Sequence, residues 1–295
     1  MLRRGSGRAT DPRRGTFLGL SIPATAALVA FLVAPLGLMV SISFRPELTS
    51  DIFGPFEPTL QHYEQVAAVG GYWQVLQTSA VMAFIVAVIA TALAYPVAYF
   101  LAFRAGHRAS LYLILLLVPF WTSYLLRVMA WKLMLGSNGV INEVLTGVGI
   151  IDEPLKALLY NRSTVIVTLV YVWIPFATLP ILAVLGRIDD RMHDAAADLY
   201  AGPFQQFRRV TLPLSMPGIA AAFLMVFIPT IGEYVTPLLV GGTAGIMYGN
   251  VIQDFFTKSA NWPLGSALAV IMLAVTLALV VIGVRIVKPR RLLGG

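Results

Sequence analysis

Cysteine is absent from this sequence, and charged residues are scarce. The lack of cysteine excludes disulfide bonds, thiolate metal sites and a cysteine nucleophile, although it leaves the redox compartment undetermined. Charged residues make up 12% of the chain, against roughly 25% in an ordinary soluble domain. Hydrophobic residues make up 58%, and the mean hydropathy is +0.81. A chain of this composition belongs in a lipid bilayer.

Sequence motifs for nucleotide binding and for catalysis are also missing. The chain has no Gly-x-x-x-x-Gly-Lys-Ser/Thr stretch, so it lacks a phosphate-binding loop and is not expected to hydrolyse ATP. It has no Gly-x-Ser-x-Gly elbow and no carboxylate pair that could serve as acid and base. His62, His107 and His193 are too scattered to form a metal site. We therefore expect no enzyme activity, metal or cofactor on this chain.

Six long apolar runs dominate the sequence. Each is close to the ~20 residues that an α-helix needs to cross a bilayer, which predicts an all-α, polytopic membrane protein with six transmembrane helices. The first run could pass for a signal peptide, but it is too long and lacks a convincing cleavage site, so we interpret it as an uncleaved span. Short helices are expected in the connecting segments 45–74 and 135–163. The predicted spans are 17–44, 75–103, 111–134, 164–185, 217–240 and 265–287.

Basic residues are distributed unevenly along the chain. Fifteen of the 21 lysines and arginines lie in or beside the two tails and the segments that follow the second and fourth spans. The positive-inside rule therefore places both termini in the cytoplasm. This distribution accounts for the formal charge of +7 without a nucleic-acid partner. It divides the chain into a basic cytoplasmic tail (1–16), a first span with its outer loop (17–74), a membrane core (75–287) and a cytoplasmic C-terminal tail (288–295).

The segment 187–213, between the fourth and fifth spans, is too organised for a plain connector. Helix-forming residues are followed by Gly202 and Pro203, which interrupt the helix, and a second short helix can begin at Phe204. The two helices carry apolar side chains that have no lipid chains to face. They could rest on lipid headgroups or bind another protein, and chemistry alone leaves both alternatives open. The apolar residues are Ala195, Ala196, Leu199, Phe204 and Phe207.

The spacing of residues 194–213 resembles the EAA signature of ABC importer permeases, which reads Glu-Ala-Ala, three residues, Gly, nine residues, Ile-x-Leu-Pro. In that family the loop forms coupling helices that dock into a groove of a cytoplasmic ATPase. Two positions depart from the signature: Asp194 replaces Glu, and Tyr200 replaces Gly. We expect Tyr200 to remove the usual chain break, with Gly202 and Pro203 supplying one two residues later. The coupling residues implied by the resemblance are Asp194, Ala195, Ala196, Leu199, Tyr200, Gly202, Leu212 and Pro213.

Further stretches are similar to the permeases of spermidine and putrescine importers. They are 119–123, 139–142, 227–237 and 241–242. The resemblance implies a type I ABC importer domain in the bacterial inner membrane, importing a polyamine or another small solute of the same family. It also implies three protein partners: an ATPase dimer that binds ATP and magnesium, a second permease subunit, and an extracytoplasmic solute-binding protein. The second permease could be a copy of this chain or a paralogue, and a paralogue is favoured.

Glu233 is the one carboxylate predicted well inside a span, about 24 Å along the fifth helix. A charge at such a depth normally faces a cavity or an ionic partner. Glu233 could pair with Arg127 or Lys132 and lock two helices together, or it could attract a cationic substrate. Aromatic faces also attract ammonium groups, although rings at the membrane interface look the same in sequence. The predicted substrate pathway consists of Glu233, Tyr234, Trp121 and Tyr124.

Two other classes of membrane protein are weaker alternatives. A secondary transporter or channel usually carries several embedded charges or an inverted repeat, and neither is visible here. A membrane enzyme would need clustered catalytic groups at an interface, which the sequence does not show. The sequence therefore favours a permease subunit driven by a separate ATPase.

Overall fold

The computed structural model describes residues 12–46 and 57–287, which form helices and turns without a β-strand. Most of the predicted N-terminal tail and all of the C-terminal tail lie outside the described residues. Short helices occur in both connecting segments where they were expected. The helices are α1 (Pro12–Ser43), α2 (Gln61–Ala68), α3 (Gly70–Phe103), α4 (Ala109–Leu117), α5 (Tyr124–Leu135), α6 (Val140–Gly147), α7 (Arg162–Leu185), α8 (Asp190–Asp198), α9 (Pro203–Gln206), α10 (Leu212–Ile231), α11 (Tyr248–Thr257) and α12 (Trp262–Val287).

Five helices are long and apolar enough to cross a membrane. Two shorter helical pieces, Gly106–Trp121 and Tyr124–Gly147, are apolar enough to cross together but meet at an angle of 86°. If they count as one broken span, the chain has six crossings. The total agrees with the six predicted spans, but the prediction of one continuous helix over 111–134 is wrong. The five continuous stretches are Thr25–Ser43, Gly70–Phe103, Arg162–Leu185, Pro203–Ile231 and Trp262–Arg285.

The break in the third span has a local cause. Pro119 lies in a short 3₁₀ turn, Val118–Trp121, where its ring leaves one backbone position without an N–H donor. Thr122 then takes an extended conformation with ψ of 151°, and its hydroxyl donates to the Pro119 carbonyl at 2.6 Å. Helix α5 starts again at Tyr124, so the two halves point in different directions.

The core of the molecule lies between α3, α7 and α10, which pack on one another more extensively than any other elements. Helix α3 contributes a stripe of fully buried alanines at spacings of three and four residues, which lets its neighbours approach closely. Gly218 lets α10 approach the backbone of α7 closely, since a Cβ at this position would lie 2.9 Å from the Pro180 carbonyl oxygen. Helix α1 packs mainly against α12 at the edge of this core. The alanines are Ala83, Ala87, Ala90, Ala94 and Ala98.

The fifth span differs from its predicted bounds of 217–240. Its helix begins earlier, because α9 continues through a π-helical turn, Phe207–Thr211, directly into α10. It also ends earlier, at Ile231, and a non-helical break follows at Gly232. The chain then makes a second π-helical turn, Pro237–Gly241, before α11, a helix that sequence analysis did not predict. Glu233 therefore lies in a break beyond the span and not inside its helix.

Candidate functional site

The segment 187–213 forms two helices joined by a turn, as predicted in outline. The Asp189 carboxylate caps α8 by accepting from the backbone N–H of Arg191 at 3.0 Å. Gly202 is the N-cap of α9, and Pro203 occupies its first turn. The second helix is not a separate short element, because it continues into α10 and carries Leu212 and Pro213 at the start of the membrane helix.

Tyr200 corrects the expectation that this position loses its chain break. Its φ is +57°, in the left-handed region that favours glycine. Its N–H donates to the Ala197 carbonyl at 2.8 Å, and the N–H of Ala201 donates to the Ala196 carbonyl at 3.0 Å. These two bonds are those of a Schellman motif, which ends a helix with a left-handed residue. The helix therefore ends at the position of the signature glycine, and Tyr200 adopts the left-handed conformation that glycine would take there.

Three large apolar side chains of this segment are exposed and are not covered by the described part of the chain. Leu199, Tyr200 and Phe204 are 82%, 97% and 72% exposed. Asp194 and Ala195 are also exposed, while Ala196 is half-buried against the rest of the segment. Apolar side chains this exposed, in a part of the chain that ends in a membrane helix, mark a surface for a protein or for lipid headgroups.

Phe207 does not belong to this exposed group, although it was predicted there. Its ring packs edge-on against Tyr95 and Tyr99 of α3, at centroid distances of 5.9 and 6.1 Å. One turn further along α3, the ring of Phe103 lies 5.4 Å from that of His193 on α8. Residues 95, 99 and 103 recur every four positions and so share one face of α3. This aromatic row, Tyr95, Tyr99 and Phe103, was missed by sequence analysis, although its spacing is a readable signal.

Hydrogen bonds reinforce the attachment of the segment to the core. His193 Nε2 and the buried hydroxyl of Thr211 are hydrogen-bonded at 3.1 Å, which joins α8 to the π-helical turn. The hydroxyls of Tyr95 and Ser215 are hydrogen-bonded at 3.0 Å, which joins α3 to the start of α10. Movement of α8 would therefore be transmitted to both α3 and α10.

The second group of predicted site residues surrounds the break after α10. Glu233 Oε1 accepts hydrogen bonds from the backbone N–H groups of Val235 at 2.9 Å and Thr236 at 3.2 Å. The carboxylate therefore caps the helical turn that follows the break. The described side chains show no ion pair between Glu233 and either Arg127 or Lys132.

The two cations considered as partners of Glu233 lie over aromatic rings. The guanidinium carbon of Arg127 is 4.5 Å from the centroid of the Phe120 ring and 5.9 Å from that of Tyr124. Lys132 Nζ lies 5.9 Å from the centroid of the Tyr160 ring. Both contacts are within the ~6 Å range of cation–π attraction.

Helices α11 and α3 hold the non-helical segment around Glu233 in place through hydrogen bonds and close backbone contacts. Asn250 Nδ2 donates to the Tyr234 carbonyl at 2.8 Å, while its Oδ1 accepts from the N–H of Met247 at 3.0 Å. Gly249 allows close contact, because a Cβ there would lie 2.7 Å from the Glu233 carbonyl oxygen. The N–H of Tyr248 donates to Ser79 Oγ on α3 at 2.7 Å. Sequence analysis missed these residues, since nothing local links positions 79 and 250 to position 233.

Only part of the predicted substrate pathway comes together. The Tyr124 and Thr236 hydroxyls are hydrogen-bonded at 2.6 Å, which brings Tyr124 beside the turn capped by Glu233. Tyr234 is 43% exposed, and its carbonyl is held by α11. Trp121 is 82% exposed, and its ring has no aromatic or cationic partner in the described parts of the chain. The geometry thus favours Tyr124 and Glu233 as the centre of the site.

Comparison with protein families adds the decisive observation. Residues 13–292 match the family described as binding-protein-dependent transport system inner membrane component. The chain belongs to this family. It is therefore a multi-pass inner-membrane permease, from a family of transport proteins and not of enzymes. Family membership sets aside the alternatives of a secondary transporter, a channel and a membrane enzyme.

Several curated permeases are similar to the chain over most of its length. The spermidine/putrescine transport system permease protein PotB of Haemophilus influenzae is 36% identical over 254 residues, covering 86% of this chain and 87% of that protein. PotB of Escherichia coli is 36% identical over 245 residues, covering 82% and 87%. The inner membrane ABC transporter permease protein YdcU of Escherichia coli is 30% identical, covering 89% of both chains. The resemblance to polyamine permeases is confirmed.

Solved structures show the same fold. A chain of a bacterial ABC transporter that imports the acidic polysaccharide alginate superposes with a TM-score of 0.73, at 15% identity, over 96% of this chain and 97% of that chain. A second structure, in which that kind of transporter is bound to an alginate-loaded periplasmic protein, gives a TM-score of 0.71. The predicted fold class, an all-α type I ABC importer domain, is confirmed.

Proposed function

We propose that this permease subunit imports a polyamine such as spermidine or putrescine. The observation that carries the proposal is the 36% identity, over most of both chains, to permeases named for spermidine and putrescine transport. The chemistry of the site agrees with a cationic solute, because a carboxylate, Glu233, lies beside the turn bonded to the Tyr124 hydroxyl. A carboxylate and aromatic faces both stabilise ammonium groups away from bulk water.

The chain needs partners to perform this transport. It has no phosphate-binding loop, so ATP and magnesium are bound by a separate pair of cytoplasmic ATPase subunits. A second permease subunit, a paralogue of this one, completes the pathway through the bilayer. An extracytoplasmic solute-binding protein delivers the polyamine, in keeping with the family description and with the alginate transporter bound to its periplasmic protein. The basic residues support an orientation with both termini in the cytoplasm.

The segment 187–213 is the proposed contact with the ATPase. Its exposed face supplies Leu199, Tyr200 and Phe204, while Asp194, Ala195 and Ala196 form the body of α8 that carries them. Gly202 ends the turn, and Leu212 and Pro213 begin the membrane helix. The aromatic row on α3 and the His193–Thr211 bond support transmission from this face into the core.

The substrate pathway is proposed to pass the break after α10, lined by Glu233, Tyr234 and Tyr124. Trp121, at the break in the third span, would meet the solute on the same route from its exposed position. Binding here should be weak, because tight binding would hold the solute midway and slow its release. High-affinity capture is the task of the solute-binding protein.

Transport by the reconstituted complex tests the proposal. The chain, its second permease and the ATPase are placed in proteoliposomes with ATP inside and the loaded solute-binding protein outside. We expect uptake of radiolabelled spermidine or putrescine that depends on both ATP and the binding protein. Uptake of a neutral sugar but not of any amine would overturn the polyamine assignment while leaving the permease role intact.

A further inference from the structure

Arg127 is a cation in the second half of the broken third span, and it forms no ion pair with any described side chain. It lies on α5, just beyond the 86° bend of the broken span, and it is half-buried. Its backbone continues the helix, but its side-chain Nε is buried and has no hydrogen-bond acceptor. A charge within the bilayer is costly and is normally paired. Arg127 is instead held by ring faces, mainly that of Phe120 at 4.5 Å.

The groups that surround Arg127 are those that would bind an amine. Tyr124 offers a second ring face, at 5.9 Å from the guanidinium carbon. The Tyr124 hydroxyl is also bonded to Thr236, whose backbone N–H donates to Glu233, so the carboxylate lies two hydrogen bonds from the ring that Arg127 contacts. Glu233 uses Oε1 to cap the following turn and forms no ion pair within the described residues. We call Phe120, Tyr124 and Glu233 the amine wall.

A guanidinium and an ammonium group are attracted to the same ring faces, and an ammonium group on these rings would also be attracted by the nearby carboxylate. We propose that Arg127 is a tethered cation that occupies the two ring faces of the amine wall while the pathway is empty and is displaced by the ammonium group of the arriving solute. This inference rests on the proposed function, polyamine import. The flexible arginine stem lets the guanidinium swing off the rings without movement of the helix.

Competition of this kind has two consequences for transport. The solute binds more weakly than it would to an empty wall, which keeps it from being trapped between the two sides of the membrane. A neutral solute gains no comparable contact with the ring faces and the carboxylate, so it displaces Arg127 poorly. Arg127 would therefore favour the passage of positively charged solutes, because only these compete with its guanidinium for the ring faces.

The test replaces Arg127 in the complete importer. Arg127→Met keeps the apolar stem and removes the charge, while Arg127→Lys keeps a tethered cation. Lys132→Met is the matched control, because Lys132 is on the same helix but lies over Tyr160, away from the amine wall. Each complex is assayed for equilibrium retention of radiolabelled spermidine and, in proteoliposomes, for uptake from the loaded binding protein.

We expect Arg127→Met to retain spermidine about tenfold more tightly, equivalent to about 1.4 kcal/mol, with a lower maximal rate of uptake. Arg127→Lys, which keeps a charge but not the planar stacking group, should fall between Arg127→Met and the wild type, while Lys132→Met should resemble the wild type. Unchanged retention in Arg127→Met, or failure of that complex and of Arg127→Gln to assemble, would overturn the inference and assign Arg127 a structural role. If the wild-type complex imports no amine, the proposed function itself fails and this inference falls with it.

Discussion

The hydroxyl of Tyr124 lies 2.6 Å from Oγ1 of Thr236, and this hydrogen bond joins two interrupted elements of the membrane domain. Tyr124 begins the second half of the broken third span. Thr236 belongs to the helical turn that follows the break after α10 and is capped by Glu233. The two irregular regions of the bundle are therefore bonded to each other, at the place where the solute is proposed to pass.

Removal of the Tyr124 hydroxyl should destabilise the domain more than removal of both hydroxyls. Tyr124→Phe leaves the fully buried Thr236 hydroxyl without this partner, at a cost of about 1–3 kcal/mol. The double variant Tyr124→Phe with Thr236→Val removes both polar groups and should recover most of that loss. Thermal unfolding of the purified importer is measured for Tyr124→Phe, Thr236→Val and the double variant. Strictly additive effects of the two changes would show that the bond contributes no coupling energy.

Glu233 should have two separable roles. Glu233→Gln removes the charge but keeps an oxygen that can accept from Val235 and Thr236, so we expect normal assembly with amine uptake reduced about tenfold or more. Glu233→Ala loses the cap as well, which should lower stability by about 1 kcal/mol. Asp254→Asn is the control, since the Asp254 side chain is 44% exposed and its ion pair in the described structure is with Lys258. Normal uptake in Glu233→Gln would leave Glu233 as a cap alone.

Tyr200→Gly should stabilise α8. A left-handed residue with a side chain costs roughly 1–2 kcal/mol, whereas glycine adds about 0.4–1 kcal/mol of entropy to the unfolded chain. We expect a net gain of up to about 1 kcal/mol, seen as slower amide exchange of Ala201. The control is Ala260→Gly, which relieves another positive φ, of 51°, outside this segment. Faster exchange at Ala201 in Tyr200→Gly would contradict the Schellman assignment.

Replacement by alanine should affect stability at Phe207 and ATPase binding at Phe204. Phe207 packs on Tyr95 and Tyr99, so Phe207→Ala should destabilise the domain by about 2 kcal/mol, less than the 3–5 kcal/mol of a fully buried phenylalanine. Phe204 is 72% exposed, so Phe204→Ala should leave the melting temperature unchanged but weaken attachment of the ATPase. Co-purification of the ATPase and thermal unfolding distinguish the two effects. A large loss of stability in Phe204→Ala would refute the outward assignment of this ring.

Hydrophobicity was sufficient to predict the number of spans, because each apolar run near ~20 residues has few alternatives in a bilayer. It was not sufficient to locate the breaks. Pro119 and Gly232 each interrupt a run whose hydropathy continues on both sides, so predicted spans passed straight through them. Whether a proline or glycine kinks a helix or ends it depends on which neighbours bond the freed backbone groups.

The candidate site was predicted by residue type but not by arrangement. Glu233 was identified because a carboxylate is rare in an apolar stretch. Its capping role depends on the end of the helix at Ile231, which lets the N–H of Val235 reach the carboxylate. The sequence predicted a continuous helix here, in which that N–H would be bonded within the helix. The brace from Asn250 joins residues 16 apart through α11, a helix whose presence the sequence did not reveal. At Tyr200 the family signature indicated the correct position for the end of the helix. The expectation that a residue other than glycine removes this helix end was wrong, because the hydrogen bonds to the Ala196 and Ala197 carbonyls outweigh the backbone strain at Tyr200.

The uninterrupted course of the chain from Pro203 to Ile231 makes one rod of 29 residues, about 43 Å long. Gly218, where this rod touches the α7 backbone, stands 14 residues from both Phe204 and Gly232. The contact therefore divides the rod into two arms of about 21 Å each. Each degree of tilt about Gly218 would move both ends by roughly 0.4 Å, in opposite directions. If the helix tilts as one body, movement of its cytoplasmic end toward α7 is matched by movement of its other end away from α7 by the same distance.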